Sequence, residues 1–319
     1  MRLSVRESDE ESLWAIVLAG GEGTRPRSVT RELYGQARPK QYAVLSGTRS
    51  MLRQTLDRVA RLVPPRRTVV VTLASHAGYL TTELADLPGI TVLAQPCDRG
   101  TAAGVLLPVH WIRARDPRAT VVVFPTDHFI LEEARFMRQA AEAAHQVREH
   151  PEWLVLLGAP ATEPEPDYGW IEPGGRLAWE GSMPFRQVRS FLEKPTETTA
   201  RHLYELGCLW NTFVFASSVS ALIEAGRQAI PLLHDRLVRL TIFAGTRHEW
   251  WAMEQAYLLA PHAEFSRSIL EEPSLPLAVG SIDAFSWCDL GTPERVARSL
   301  RSLGAPTLVA GHPGGESMS

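Results

Sequence analysis

The sequence predicts a doubly wound α/β fold on a mixed, mostly parallel sheet, and three observations carry that expectation. Continuous apolar runs of strand length alternate with longer segments of helical spacing, the order that builds a parallel sheet. The alternation is most regular before residue 160 and looser after it. The chain has 319 residues, 45% hydrophobic and 22% charged, enough apolar material for a full core and unlike a disordered or coiled-coil chain. One folded domain over 13–303 is expected, between a polar arm (1–12) and a Gly/Pro/Ser-rich tail (304–319).

In order, 13–19, 68–73, 90–94 and 120–124 are apolar without interruption, as strands buried on both faces must be. Helical spacing fills 51–62, 76–84, 101–115 and 133–150 between them. Turn-rich composition at 161–166 and 173–175 breaks the rhythm, followed by strands at 185–192 and 212–216. Helices are expected at 219–226, 232–242, 251–260 and 294–303. This second half should extend the first sheet rather than fold separately.

Lys plus Arg number 33 against 36 Asp plus Glu, a net charge of -3 that argues against nucleic acid or an anionic membrane as the main partner. Three scattered cysteines, Cys97, Cys208 and Cys288, form neither a disulfide framework nor a zinc pattern. With a polar, acidic start and apolar runs far shorter than the ~20 residues of a membrane helix, a cytoplasmic location is expected. Association into a homo-oligomer is left open.

The first run empties into Gly20-Gly21-Glu22-Gly23-Thr24-Arg25, with Pro39-Lys40-Gln41 further on. Glycines at the carboxyl end of a first parallel strand let the backbone approach a ligand and turn N–H groups toward phosphate. The loop is not a Walker loop, and Pro26 stands where a dinucleotide fingerprint has its last glycine. GGxG alone is equally a tight turn; GGxGTR is the more specific signal.

Further motifs follow in fixed order: Gln95-Pro96, Arg99-Gly100-Thr101-Ala102, Phe124-Pro125-Thr126-Asp127-His128, Tyr168-Gly169-Trp170-Ile171, Phe191-Leu192-Glu193-Lys194-Pro195, Trp210-Asn211 and Trp287-Cys288-Asp289-Leu290-Gly291-Thr292. With them the chain resembles the sugar-phosphate nucleotidyltransferase family, and within it the mannose-1-phosphate guanylyltransferases (GDP-mannose pyrophosphorylases). The resemblance implies a Rossmann-like fold of the nucleotide-diphospho-sugar transferase type. It also implies a reaction, attack of a hexose 1-phosphate on the α-phosphorus of a nucleoside triphosphate with loss of pyrophosphate, first of all GTP plus mannose 1-phosphate giving GDP-mannose. At ~4 Å and an effective dielectric of about 20, each like-charge contact between two such anions costs on the order of 4 kcal/mol. Fixed cations are therefore the core of the chemistry.

The resemblance implies Arg25, Lys40 and Lys194 as the catalytic cations. Gly20, Gly21, Gly23, Thr24, Gln95 and Thr101 would take the nucleotide, and Gly169, Glu172, Glu193 and Asn211 the sugar. Asp127 and Asp289 would hold Mg2+ between the phosphates. Plainer readings stand beside these: solvated cations for Arg25 and Lys40, a strand terminus for Lys194, helix caps for Asp127 and Thr101, a turn for Asp289. His128 reads as a structural histidine, Trp170 and Trp210 as core aromatics. Glu193 and Lys194 are adjacent on a strand and can share a pocket only if Pro195 bends the chain there.

The chain departs from the family pattern at Pro26, at the extra residues 35–38, at Gly100 where an asparagine is usual, and at Ser266 and Arg267 where mannose-specific relatives carry an acid and a tyrosine. These positions bear on the base and the sugar more than on the reaction class. An alternative function is a catalytically silent, sugar-nucleotide-binding regulatory subunit of the same fold. A nucleotide-sugar-dependent glycosyltransferase would want a DxD motif, of which Thr126-Asp127-His128 supplies half.

Overall fold

Four strands, β1 (Leu13–Ala19), β2 (Thr68–Leu73), β3 (Thr91–Gln95) and β4 (Thr120–Pro125), form the parallel half of a nine-stranded sheet. The structure is a computed structural model and describes residues 12–21, 30–31, 34–35, 38–45, 47–243, 245–282 and 287–289. Apolarity is continuous in these strands because successive side chains enter two different cores. Ala15 and Val17 of β1 join Val70, Val122 and Phe124 on one face, whereas Trp14 and Ile16 join Val69, Val71, Val121 and Val123 on the other.

Helices cover both faces. On the first face lie α1 (Met51–Val59) and, from further along the chain, α4 (Glu133–Glu149). Between them in sequence come α2 (Ala77–Glu83) and α3 (Gly100–Arg113), and α3 lies buried against the second face through Val105, Leu106, Val109 and Ile112. The expected strands and helices of the first half are all present, with ends shifted by a few residues.

The second half does extend the same sheet. Its strands are β6 (Leu154–Pro160), β7 (Gly169–Arg176), β8 (Phe185–Glu193), β9 (Leu209–Ser218) and β10 (Leu277–Ser281), and the order is β3-β2-β1-β4-β9-β6-β10-β8-β7. Only β9 and β8 run against the rest, so the sheet is mixed and mostly parallel. At the far end the sheet curls until β7 also pairs with β9, Trp170 opposite Trp210. After Pro195, α5 (Glu197–Glu205) is capped by Thr196, and α6 (Val219–Ala229), α7 (Pro231–Leu240) and α8 (Glu249–Leu258) complete the second face.

A separate two-stranded ribbon pairs β5 (His128–Ile130) with β11 (Trp287–Asp289). Strands β5, β6, β7, β10 and β11 and helix α5 go beyond the elements expected from the sequence. At 173–175, where the sequence suggests a turn, Pro173, Gly174 and Gly175 lie inside β7 at two register shifts opposite β8. The arm, the tail and the helix expected at 294–303 lie outside the described residues. No helix of the described residues is long and apolar enough to cross a membrane.

Candidate active site

Strand β1 leads through Gly20 to Gly21, which lines a cleft of about 550 Å3, whereas Gly20 does not line it. The Gln41 side-chain amide donates to the carbonyls of Ala19 (2.8 Å) and Gly21 (2.9 Å), tying the start of the glycine loop to the short turn Lys40–Tyr42. That tether sets Lys40 beside the loop, in direct contact with Asp127. Gly23, Thr24 and Arg25 lie outside the described residues.

Behind Gly20, Gln95 fills the space that a side chain would need, its Nε2 2.8 Å from where a Cβ would stand. Gln95 is buried, its carbonyl oxygen accepts the Tyr257 hydroxyl (2.9 Å), and it does not line the cleft. Gln95, expected from the sequence to meet the base, thus lies beneath the loop, its amide toward Gly20 and its oxygen engaged by Tyr257.

At the end of neighbouring β4, Thr126 donates to the carbonyl of Leu18 (2.8 Å), and Asp127 forms an ion pair with Lys40. Burial works against the Asp127 carboxylate, but the charge and hydrogen bond of Lys40, with His128 and a backbone N–H, together outweigh it and hold the carboxyl down to about 2. His128 is buried with its ring edge-on to Trp287 (5.3 Å), and burial pushes it down to about 4, against the pull of Asp127 and Asp289. It stays neutral near pH 7, in keeping with a structural histidine.

The ribbon brings the second carboxylate in. Asp289 stands opposite His128 in the β5–β11 register, and His128 directly follows Asp127. Its Oδ1 accepts the Tyr168 hydroxyl (2.7 Å), and the Tyr168 ring is wedged between Trp210 (4.9 Å) and Trp287 (5.7 Å). Trp170 and Trp210 are core aromatics, as read from the sequence.

On the opposite wall, β8 ends at Glu193 and the chain turns at Lys194, which adopts a left-handed backbone (φ +50°) while its N–H donates to the carbonyl of Tyr168 (3.1 Å). The required bend is thus in Lys194 itself, not in Pro195, and both side chains reach the cleft, 3.8 Å apart. Glu193 is gripped from behind: its N–H donates to Glu271 (2.8 Å) and its carboxylate accepts the Ser266 hydroxyl. Burial raises its pKa above the ordinary value, with Lys194 opposing.

Gly169 opens the floor between them. A Cβ there would stand 2.6 Å from a Glu193 oxygen and 3.2 Å from Cβ of Asn211. Asn211 lines the same floor, its oxygen accepting the N–H of Phe213 (3.0 Å) at the bulge where β9 changes register against β6. Glu172, by contrast, does not line the cleft. It lies three residues along β7 from Gly169, on the opposite face, and its carboxylate accepts Arg189 (2.6 Å) and Ser190 (2.8 Å).

Of the expected site residues, Gly21, Lys40, Thr101, Asp127, Gly169, Glu193, Lys194, Asn211 and Asp289 meet around one cleft. Sequence reasoning missed Tyr168, Gln41, Thr126 and Glu264. The first three sit inside motifs visible in the sequence; Glu264 opens the stretch that departs from the mannose-specific pattern, where the sequence points to Ser266 and Arg267 instead.

The Nucleotidyl transferase family matches residues 14–302. Alginate biosynthesis protein AlgA of Pseudomonas aeruginosa is 26% identical over 287 residues, 86% of this chain and 57% of its own length. A mannose-1-phosphate guanylyltransferase of Escherichia coli is 27% identical over 291 residues, 88% and 59%. The chain therefore spans somewhat over half the length of these curated relatives. A crystal structure from Thermus thermophilus, described as a mannose-1-phosphate geranyltransferase, superposes with a TM-score of 0.74 at 28% identity, covering 91% of this chain and 79% of that one. With the family matched over nearly the whole length, on the sheet and the cleft just described, the chain belongs to the nucleotidyl transferase family.

Proposed function

We propose that the chain forms a nucleotide sugar and pyrophosphate from a nucleoside triphosphate and a hexose 1-phosphate, with GTP and mannose 1-phosphate giving GDP-mannose as the first pair. The observation that carries this reading is that Lys40, Lys194, Asp127 and Asp289 line one cleft together, Lys40 paired with Asp127 and Tyr168 bonded to Asp289. The name of the Escherichia coli relative at 27% identity, a mannose-1-phosphate guanylyltransferase, supports the same substrates.

A phosphate oxygen of the hexose 1-phosphate attacks the α-phosphorus, the bond from that phosphorus to the α–β bridging oxygen breaks, and pyrophosphate leaves with the electron pair. The nucleophile is already an anion, so no protein base is required; alignment and charge neutralisation do the work. Lys194 would hold the attacking phosphate, and Lys40, with Arg25, the triphosphate. Glu193 and Asn211 would accept from and donate to sugar hydroxyls over Gly169.

The donor set fits Mg2+, which is commonly held by one or two carboxylates and completed by water and substrate phosphates. Among the described residues no group of three or more His, Cys, Asp or Glu is arranged for a metal, so Asp127 and Asp289 would hold the ion only together with phosphate oxygens. The cleft lining also carries more carboxylates than ammonium groups among the described residues, a balance that disfavours two polyanions without a divalent cation. When bound, Mg2+ supplies charge neutralisation at the phosphates. Lys40 keeps Asp127 ionised for it, and Tyr168 orients Asp289.

Pyrophosphate release is to be followed with Mg2+ and GTP, ATP, dTTP, UTP or CTP against mannose-, glucose-, fucose- and N-acetylglucosamine-1-phosphate. Release with GTP and mannose 1-phosphate is expected, and Asp289→Asn should lower it at least about a hundredfold. No release from any pair, with GDP-mannose still bound, would replace the enzyme by the silent regulatory subunit.

A further inference from the structure

Thr101 was expected to meet the nucleotide, yet its hydroxyl is occupied twice. It accepts the N–H of Phe265 (2.8 Å) and donates to Oε2 of Glu264 (2.8 Å). What the start of α3 presents to the cleft is therefore the Glu264 carboxylate, which lines it together with Thr101. The placement is rigid: Ala102 N–H donates to the carbonyl of Ala263 (3.0 Å), and Ala263 N–H donates to that of Arg99 (3.1 Å). Gly100 (φ +81°) permits this approach, since a Cβ there would lie 2.3 Å from the Ala263 oxygen. The usual asparagine of the family would not fit this backbone unchanged.

A carboxylate in a cleft meant for polyanions is repulsive unless it meets donors, and a carboxylate only accepts. Glu264 meets Thr101 at the start of α3, whose Gly104 lies against Gln95 beneath Gly20, so its carboxylate is on the glycine-loop side of the cleft, where the nucleoside would lie, while Ser266, two residues on, reaches Glu193. Among the nucleobases, guanine alone offers two adjacent donors, N1–H and the N2 amino group, on its pairing edge. Adenine and cytosine set one amino donor beside an acceptor, and uracil flanks one N–H with carbonyls. We propose that Glu264 selects guanine by accepting N1–H and N2–H, with Thr101 as the positioning residue that orients its carboxylate. The proposal rests on the nucleotidyl-transfer reading and names the base selected at that site.

The test is equilibrium binding of GDP, IDP, ADP and 2′-deoxy-GDP to the full chain with Mg2+, without turnover. IDP lacks only the N2 amino group. The unsubstituted protein should prefer GDP to IDP by about tenfold or more, and Glu264→Gln should bring the ratio to about threefold or less. Thr101→Val should lower the ratio as well, whereas Thr101→Ser should keep it, a pattern that a merely structural role would not produce. An unchanged GDP to IDP ratio in Glu264→Gln, or no preference in the unsubstituted protein, overturns the proposal. So does a loss of discrimination against 2′-deoxy-GDP alone, which would assign Glu264 to the ribose. Absence of pyrophosphate release alongside an intact, Glu264-dependent preference for GDP would sink only the proposed activity and leave the base assignment supported.

Discussion

Lys194 holds a backbone conformation that its side chain disfavours by roughly 1–2 kcal/mol, and it does so where the cleft needs a cation beside a carboxylate. The side chain is 45% exposed, so its charge contributes little to folding. Lys194→Gly should therefore raise thermal stability slightly, by up to about 1 kcal/mol after the glycine entropy is subtracted, while abolishing pyrophosphate release. Calorimetry and the activity assay should move in opposite directions; a fall in both would mean that the strain is not borne by this residue. Tyr168 acts at one remove, through Asp289 Oδ1. Tyr168→Phe should raise the Mg2+ concentration for half-maximal turnover about tenfold or more with the fold unchanged, the scale seen for groups that orient metal ligands; a simple fall in rate at every Mg2+ concentration would count against that role. Both positions lie in motifs visible in the sequence, but the sign of φ at a lysine and the partner of a tyrosine 121 residues away from Asp289 are set by tertiary structure.

At the scale of elements, the least legible piece is β7, because Pro173, Gly174 and Gly175 carry turn chemistry and yet lie at irregular register within a strand. The side on which Glu172 falls is illegible for the same reason, since without the strand there is no face to read. Helix α3 shows the opposite case, an apolar segment legible as a helix whose buried polar group is an unexpected liability. His110 packs against His234 of α7 with ring centroids 5.2 Å apart, and its Nε2 has no hydrogen-bond partner among the described residues. Burial, followed by the charges of His234 and Arg113, pushes His110 down to about 3. The unfolded chain takes up this proton below about pH 6.5, the folded chain only near 3. Between those values the unfolded state holds the extra proton, so stability falls as the pH drops, by about 1.4 kcal/mol per pH unit for this group. In urea unfolding at a series of pH values, His110→Gln should flatten that slope by about one proton; an identical slope would place the titration elsewhere.

For the molecule as a whole, the decisive feature is that a late strand closes the early half. Strand β9 lies between β4 and β6, with Ala216 opposite both Val122 and Val155, and Phe215 opposite both Val123 and Leu156. The alternation before residue 160 makes the parallel half legible in sequence, but antiparallel insertion of β9 is a long-range pairing with no local signal. It also means that neither half has a complete sheet alone. Phe215 is buried and stacked on Phe265 (5.0 Å, 8° between planes), so β9 further ties the sheet to the segment that carries Glu264 and Ser266. Unfolding in urea should therefore be one transition, with tryptophan fluorescence and far-UV circular dichroism coincident. Phe215→Ala should lower stability by about 3–5 kcal/mol and shift both probes together. Separated midpoints, or a variant that unfolds only part of the helical signal, would show that the two halves are joined by the sheet in geometry but not in energy.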